Sequence, residues 1–368
     1  MPRALQTGVC VGLCFLLCAC NPPPPIKLGF LGGLSGKFSD LGISTRNGAL
    51  LAIETTNAAG GIGGRQLSLL EMDDKQNPEA ALQAMAEFER QEVVAVIGPS
   101  TSSIAVAVTP VANAKRMLLV APTATTNALS GKDDYFFRAV GDAAFYGVAA
   151  AKHHYAMGLR HAALVLDLAN ADYTESWATP YAKTFTALGG SIDRVEHFTS
   201  TQKPDYQALA RRLVLGQPDL VITVASSADS ALIAQRVRAL APNVRLAGAG
   251  WASTERLIEL GGASVEGMLF EQYFDRFDPS PKFQSFLKAY QARFRSDPGF
   301  GAVLAHDATH MVIAGLRREH GAKDLKAAVL AVGHFEGAQN PVRLDANGDV
   351  SREVYFGVVK NGTFARYE

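Results

Sequence analysis

The sequence predicts an α/β chain of two doubly wound parallel-sheet domains, and three observations carry that expectation. Short apolar runs alternate with longer helical patterns almost without interruption from Ile26 onward. Parallel neighbours need crossovers of about a dozen residues, so this alternation implies right-handed βαβ units. The pattern then starts afresh near residue 141, and 368 residues exceed the roughly 100–200 that one domain usually holds.

Taken in order, Ile26-Lys27-Leu28-Gly29-Phe30-Leu31 reads as a strand, and the glycine- and serine-rich loop 32–36 leads to a helix over 41–57 with Ala49, Leu50 and Ile53 on its apolar side. Strands follow over 67–72, 93–97 and 117–120, separated by helices over 78–91 and 102–114. After the loop 122–134 and the segment 135–140 comes the second unit. It has helices over 143–157, 174–188, 205–215 and 229–240, strands over 161–166, 219–224 and 244–247, and a segment 191–198. Beyond Phe270 the pattern gives helices over 281–295, 302–318 and 325–332, then a hairpin-like tail. In that tail Asp345, Asn347 and Asp349 alternate as in a calcium loop, but position 12 is Phe356 where a bidentate Glu is required. A turn on Asn347-Gly348 is the better reading.

The first 25 residues set the compartment. Residues 1–19 carry one charge, Arg3, and an apolar run too short to span a bilayer, which reads as a secretory signal. The end of this segment, Leu17-Cys18-Ala19-Cys20, resembles a bacterial lipobox, with Cys20 as the lipidated residue and Cys18 an uncharged departure at the −2 position. All four cysteines lie in this segment. The mature chain keeps Cys20 alone, which excludes internal disulfides, cysteine-ligated metals and a thiol nucleophile from the folded body. Residues 20–25 form the anchor and linker: Pro22 to Pro25 favour a stiff extended spacer of about 3 Å per residue. Charge balances at 35 basic against 35 acidic residues, or 34 against 35 once Arg3 is removed. Neither balance points to nucleic acid.

No nucleotide, zinc-protease or serine-hydrolase motif occurs, so an enzyme is not expected, and neither a cofactor nor a metal. Gly60-Gly61-Ile62-Gly63-Gly64 follows a helix and precedes a strand, the reverse of a phosphate cradle, and reads as a helix cap and turn. The neighbours His153 and His154 point about 100° apart on a helix. His306 and His310, with Asp307, share a face at i, i+4 but lack a further ligand cluster, so packing is the expected role. Loop chemistry stands out instead. The strand 93–97 runs into Gly98-Pro99-Ser100-Thr101-Ser102-Ser103 at a helix start, where hydroxyls, free N–H groups and the helix dipole together suit a carboxylate. The next strand ends in Ala121-Pro122-Thr123-Ala124-Thr125-Thr126-Asn127, and a parallel sheet brings both loops to one edge.

These residues in this order, with Asp73-Asp74, Phe136-Phe137-Arg138, Gly189-Gly190, Pro218-Asp219 and Asp345-Ala346-Asn347-Gly348-Asp349, resemble the branched-chain amino acid binding proteins of ABC transporters. The resemblance covers nearly the whole chain after Pro25. It implies a type I periplasmic binding protein fold with three crossover segments near 137–141, 269–274 and 340–344, closing by a hinge. The lobes would be 26–140 with 271–340, and 141–270 with 341–368. It further implies that Ser102 and Thr125 hold a ligand carboxylate, that Thr123 and Ala124 contribute backbone contacts, and that Tyr173 and Leu41 form walls. The sequence departs from the family at 248–253, where amino-acid binders present an acid to the ligand ammonium. Here Trp251 stands in that loop, and no carboxylate occurs until Glu255. Either Glu255, Asp229 or Glu271 reaches in, or the ligand has no ammonium and Trp251 is an apolar wall.

The expected function is therefore an exported solute-binding lipoprotein of the bacterial envelope, facing the periplasm or cell exterior. Its partners would be a small-molecule ligand, the permease and ATPase subunits of an importer, and the membrane through its lipid. A second reading keeps the fold but has the lipoprotein regulate a membrane-bound enzyme without transport.

Overall fold

The computed structural model describes residues 23–36, 39–319 and 324–367. The signal segment and Cys20 lie outside them. Pro23 to Pro25 are exposed and irregular, and no helix among the described residues is long and apolar enough to cross a membrane.

The first lobe holds β1 (Ile26–Gly32), α1 (Ser39–Ala58), β2 (Leu67–Asp73), α2 (Pro78–Arg90), β3 (Ala95–Ile97), α3 (Ser102–Lys115), β4 (Leu118–Ala121) and β5 (Phe136–Arg138). The second opens with α4 (Ala143–Ala156), β6 (His161–Asp167), α5 (Ala171–Ala187), β7 (Ser191–Phe198), α6 (Tyr206–Leu213) and β8 (Leu220–Val224). It continues through α7 (Ser227–Leu240), β9 (Arg245–Gly248), α8 (Glu255–Gly261) and β10 (Leu269–Gln272). The chain returns through α9 (Pro281–Phe294), α10 (Phe300–Glu319), α11 (Leu325–Val332), β11 (His334–Phe335) and β12 (Val342–Arg343). It ends in the hairpin β13 (Tyr355–Lys360) and β14 (Thr363–Arg366).

Five parallel strands in the order β2-β1-β3-β4-β5 make the first sheet. The second runs β14-β13-β10-β9-β8-β6-β7, parallel except for the terminal hairpin. Strands covered on both faces read as continuous apolar runs rather than alternating ones. Thus Leu28 and Phe30 pack towards α1 and α10, while Leu31 packs with Phe88 of α2 and Val108 of α3. In the second sheet Leu164 and Ile222 meet Trp177 and Tyr181 of α5, and Val165 and Val221 meet Ile233 and Val237 of α7. Each such side chain, fully buried, contributes about 1.5–3 kcal/mol.

The sheets move two of the lobe boundaries drawn from sequence. β10 pairs with β9 and β13, so the second crossing begins after Gln272 rather than at 270. Val342 and Val350 pack in the first lobe's core, and Arg138 donates its N–H to Gly348, so the third crossing falls after Val350 rather than at 340. The physical reason is the turn between them. The Asp345 carboxylate accepts the Asn347 and Asp349 N–H groups at 2.8 and 2.9 Å. Gly348 has φ +84°, and a Cβ there would stand 2.0 Å from the Phe137 ring. Asp349 faces the fully buried Arg138, whose Nε lies 2.6 Å from its carboxylate.

Removing one partner of a buried ion pair strands the other charge. Asp349→Ala is therefore expected to cost about 3 kcal/mol, read as a lower urea midpoint, whereas loss of a solvated turn acid would leave the midpoint unchanged.

Candidate ligand-binding site

The carboxyl ends of the two parallel sheets face each other across the crossings, the place where open α/β sheets take ligands. Between them lies a small cavity lined by Leu41, Ser100, Thr101, Ser102, Thr123, Asn170, Tyr173, Trp251, Tyr273 and Phe300. With the lobes together its free volume is about 10 Å³, about enough for a single water, so a larger occupant requires the lobes to part.

The first lobe supplies the hydroxyls. The Ser102 oxygen accepts the Thr125 and Thr126 N–H groups at 3.1 and 3.2 Å. A serine hydroxyl has two lone pairs and one proton, so both acceptor positions are filled and the proton remains to be donated. The Thr123 hydroxyl donates to the Ser100 carbonyl at 2.6 Å, fixing one loop against the other. The Ser100 hydroxyl pairs with Thr45 at 3.0 Å. The Thr125 hydroxyl is buried without a hydrogen-bond partner, a cost of about 1–3 kcal/mol that a bound oxygen would relieve.

The second lobe supplies most of the rings. Tyr173 meets Trp251 edge-on with centroids 5.7 Å apart, and Tyr273 meets Phe300 of α10 at 5.0 Å. The Trp251 N–H donates to the Tyr173 hydroxyl at 3.4 Å, and burial raises the Tyr173 pKa above its usual value. Such offset and edge contacts add about 0.5–1.5 kcal/mol to area burial.

Three polar clamps hold the lobes closed over this cavity. Asn170 accepts the Ser103 N–H at 3.1 Å, capping α3 from the opposite lobe, and the Ser103 hydroxyl donates to Asp172 at 2.8 Å. Ser176 accepts the Asn127 N–H at 3.2 Å. Asp40 accepts from both Ser227 and Thr254 at 2.7 Å.

Leu41, Ser102, Thr123, Tyr173 and Trp251 thus come together around one cavity. Ala124 and Thr125 are buried beside it rather than in its lining. Asn170, Tyr273 and Phe300 are further lining residues that the sequence does not single out. Ser100 and Thr101, part of the hydroxyl run at the helix start, line the cavity as well. None of the three acids considered for an ammonium lines the cavity. Glu255 pairs with Arg276 at 2.5 Å. Asp229 accepts from Ser226 at 2.6 Å and also from Tyr206. Glu271 accepts from the Trp177 indole at 2.8 Å and the Gly250 N–H at 2.6 Å. Burial outweighs those two donors and pushes the Glu271 carboxyl up to about 8. A larger groove of about 560 Å³ beside Ile258, Phe274 and Phe364 opens to solvent. Of the histidines singled out, His154 is buried against the Tyr181 hydroxyl at 3.1 Å, and His153 stacks on Phe356. Asp307 pairs with Arg352 at 2.7 Å.

A family model described as periplasmic binding protein matches residues 25–363. The chain belongs to the periplasmic binding protein family. This family member is 25% identical over 345 residues to the leucine-, isoleucine-, valine-, threonine- and alanine-binding protein of Pseudomonas aeruginosa, covering 93% of this chain and 89% of that one. It is 26% identical over 318 residues to a Leu/Ile/Val-binding protein of Rhizobium johnstonii, with 83% of each covered. Its fold matches a leucine binding protein from Thermotoga maritima with TM-score 0.86 at 24% identity, covering 93% and 98%. It also matches an ABC transporter solute binding protein from R. palustris in complex with benzoate, with TM-score 0.84 at 20% identity, covering 93% and 95%. Among periplasmic binding proteins this is the type I architecture, and the family binds substrates rather than transforming them.

Hydrogen bonds to a charged acceptor contribute about 1.5–3 kcal/mol each, less where the group is partly exposed. Asp40→Ala removes two of them from between the lobes. The expected result is a shift to the open form, read by small-angle scattering as a larger radius of gyration than the wild type.

Proposed function

We propose that the chain is the extracytoplasmic solute-binding lipoprotein of an ABC importer, capturing a small carboxylate between its lobes by hinge closure and releasing it unchanged. The observation that carries this reading is the two-sided cavity. Hydroxyls and the N-terminus of a 14-residue helix form one wall, and the rings of Tyr173, Trp251 and Tyr273 form much of the other. A helix N-terminus favours an anion without a cation beside it, and neither Lys nor Arg lines the cavity. In this reading Ser102 and Thr125 donate to the carboxylate, Thr123 and Ala124 offer backbone, and Leu41, Tyr173 and Trp251 close on the remainder. Cys20 would carry the lipid, and the proline linker would hold the trap near its permease and ATPase partners.

The ligand class spans amino acids and related aliphatic or aromatic acids, and the lining bears on the choice. A buried ammonium without a counter-charge costs several kcal/mol. No carboxylate lines this cavity, and Glu255, Asp229 and Glu271 are each held elsewhere. Those facts favour an acid that lacks an amino group, with a flat apolar body to lie against Tyr173 and Trp251.

Titration calorimetry with benzoate and leucine tests this. Benzoate is expected to bind in the micromolar range, about −8 kcal/mol, and more tightly than leucine. Ser102→Ala is expected to weaken it at least about tenfold, the loss of a charge-assisted hydrogen bond. Tighter binding of leucine would restore the amino-acid reading, and an unchanged affinity in Ser102→Ala would remove the carboxylate site.

A further inference from the structure

Glu271 is a buried acid that supports the cavity's aromatic wall from behind, and the capture reading leaves it without a role. It sits on β10, 2% exposed. One of its oxygens accepts both the Gly250 N–H and the Trp177 indole N–H. Gly250 opens the short helical turn Gly250–Ala252 that presents Trp251. The turn has no slack: a Cβ on Gly250 would stand 2.6 Å from the Tyr273 ring. The same carboxyl therefore anchors the Trp251 turn and, through Trp177, the helix that carries Tyr173.

We propose that Glu271 is the positioning residue of the ligand wall: as a neutral acid it holds the Trp251 turn in place for an anionic ligand, and its ionisation weakens capture. This rests on the reading of the cavity as the ligand site. An acid on a buried strand normally has a cation nearby or pays heavily for its charge. The titratable groups facing Glu271 supply no cation. They are the phenols of Tyr146 on α4, Tyr173 and Tyr181 on α5, and Tyr273 after β10, all raised above their usual range by burial. His154, hydrogen-bonded to Tyr181, is held neutral by burial at about 3, and burial also lowers its neighbour His153. Arg352 acts on Tyr146 but is committed to Asp307. The turn after β9 contributes backbone and indole only. An ionised Glu271 would thus place an uncompensated negative charge behind the wall of a cavity that holds a second negative charge. Its N–H partners favour the ionised form, but burial outweighs them, so the neutral form prevails below about 8.

The sign for stability follows the same way. The folded pKa is raised from 4.5 to about 8, so the stabilising contribution is complete below about 4.5 and is lost as pH rises through about 8. The ligand effect runs in parallel, because an anion binds the neutral form better.

The full chain has two tryptophans, Trp177 and Trp251, and Glu271 bears on both, so its titration is observable without any ligand. Tryptophan emission of the wild type is expected to change with a midpoint near 8, and Glu271→Gln, which keeps the acceptor oxygen but cannot ionise, is expected to remove the transition. By calorimetry, wild-type affinity for benzoate should fall about tenfold between roughly pH 6.5 and 9.5, while Glu271→Gln stays within about twofold. Glu271→Leu should be about tenfold weaker at both pH values, with the Gln variant restoring affinity. A flat emission profile in the wild type, a transition retained in Glu271→Gln, or a benzoate affinity indifferent to pH overturns the proposal. A wild type that binds neither benzoate nor leucine fails the capture reading instead, and the emission titration still decides whether Glu271 holds the tryptophan wall.

Discussion

The buried carboxylate of Asp307 is the interaction on which the arrangement of the two lobes depends. From α10 it pairs with Arg352 at 2.7 Å and accepts the Ala338 N–H at 2.6 Å, while Arg352 also donates to the Ala139 carbonyl at 2.5 Å. One acid thereby joins the first crossing at Ala139 to the third at Arg352. Burial alone would raise the Asp307 carboxyl, but the Arg352 charge and His306 hold it below its usual value. The second crossing is tied in by Gln339, which accepts the Asp275 N–H at 3.1 Å and donates to its carbonyl at 2.5 Å. Buried ion pairs seldom add net stability, and their best-attested use is to fix a register. Here the register is the relation between two sheets whose carboxyl edges line the cavity between the lobes.

With the crossings fixed, the lobes divide the chemistry. The first lobe's strand ends lead into hydroxyl loops and the start of α3, which suit a negative head group. The second lobe's strand ends lead into Tyr173, Trp251 and Tyr273, which suit a flat body. Neither half encloses anything alone, because Asn170 reaches across to cap α3 and Asp40 reaches across to Ser227 and Thr254. Contact between the lobes and assembly of the cavity therefore go together. The glycine turn at 348 against Phe137 belongs to the same scheme, since it seats Asp349 on Arg138 just before the chain crosses for the last time.

Much of this was legible in the residues. Short apolar runs such as 28–31 and 220–224, spaced by helical stretches, read as strands covered on both faces and joined by parallel crossovers. Ser102 and Thr123 were readable because hydroxyls cluster where strands end. Other features left no local signal. Tyr273 and Phe300 reach the cavity from a crossing and from the start of a returning helix, so their role depends on contacts more than 100 residues away in sequence from Ser102 and Thr123. Helix α8 and strand β10, at 255–261 and 269–272, are too short for periodicity to resolve. The third boundary was misplaced because Asp345 to Asp349 reads as part of a tail until Arg138 is seen to need its acid. Glu271 was weighed as a candidate ammonium partner, and nothing in sequence announces that its carboxyl faces Trp177 and Gly250 instead.

The most direct test of the account is a crystal structure of the chain grown with saturating benzoate. The account predicts closed lobes with the carboxylate at Ser102 and the start of α3, and the ring between Tyr173 and Trp251. An empty interlobe cavity, or benzoate seated with its carboxylate towards Trp251 and away from the hydroxyl loops, would contradict it.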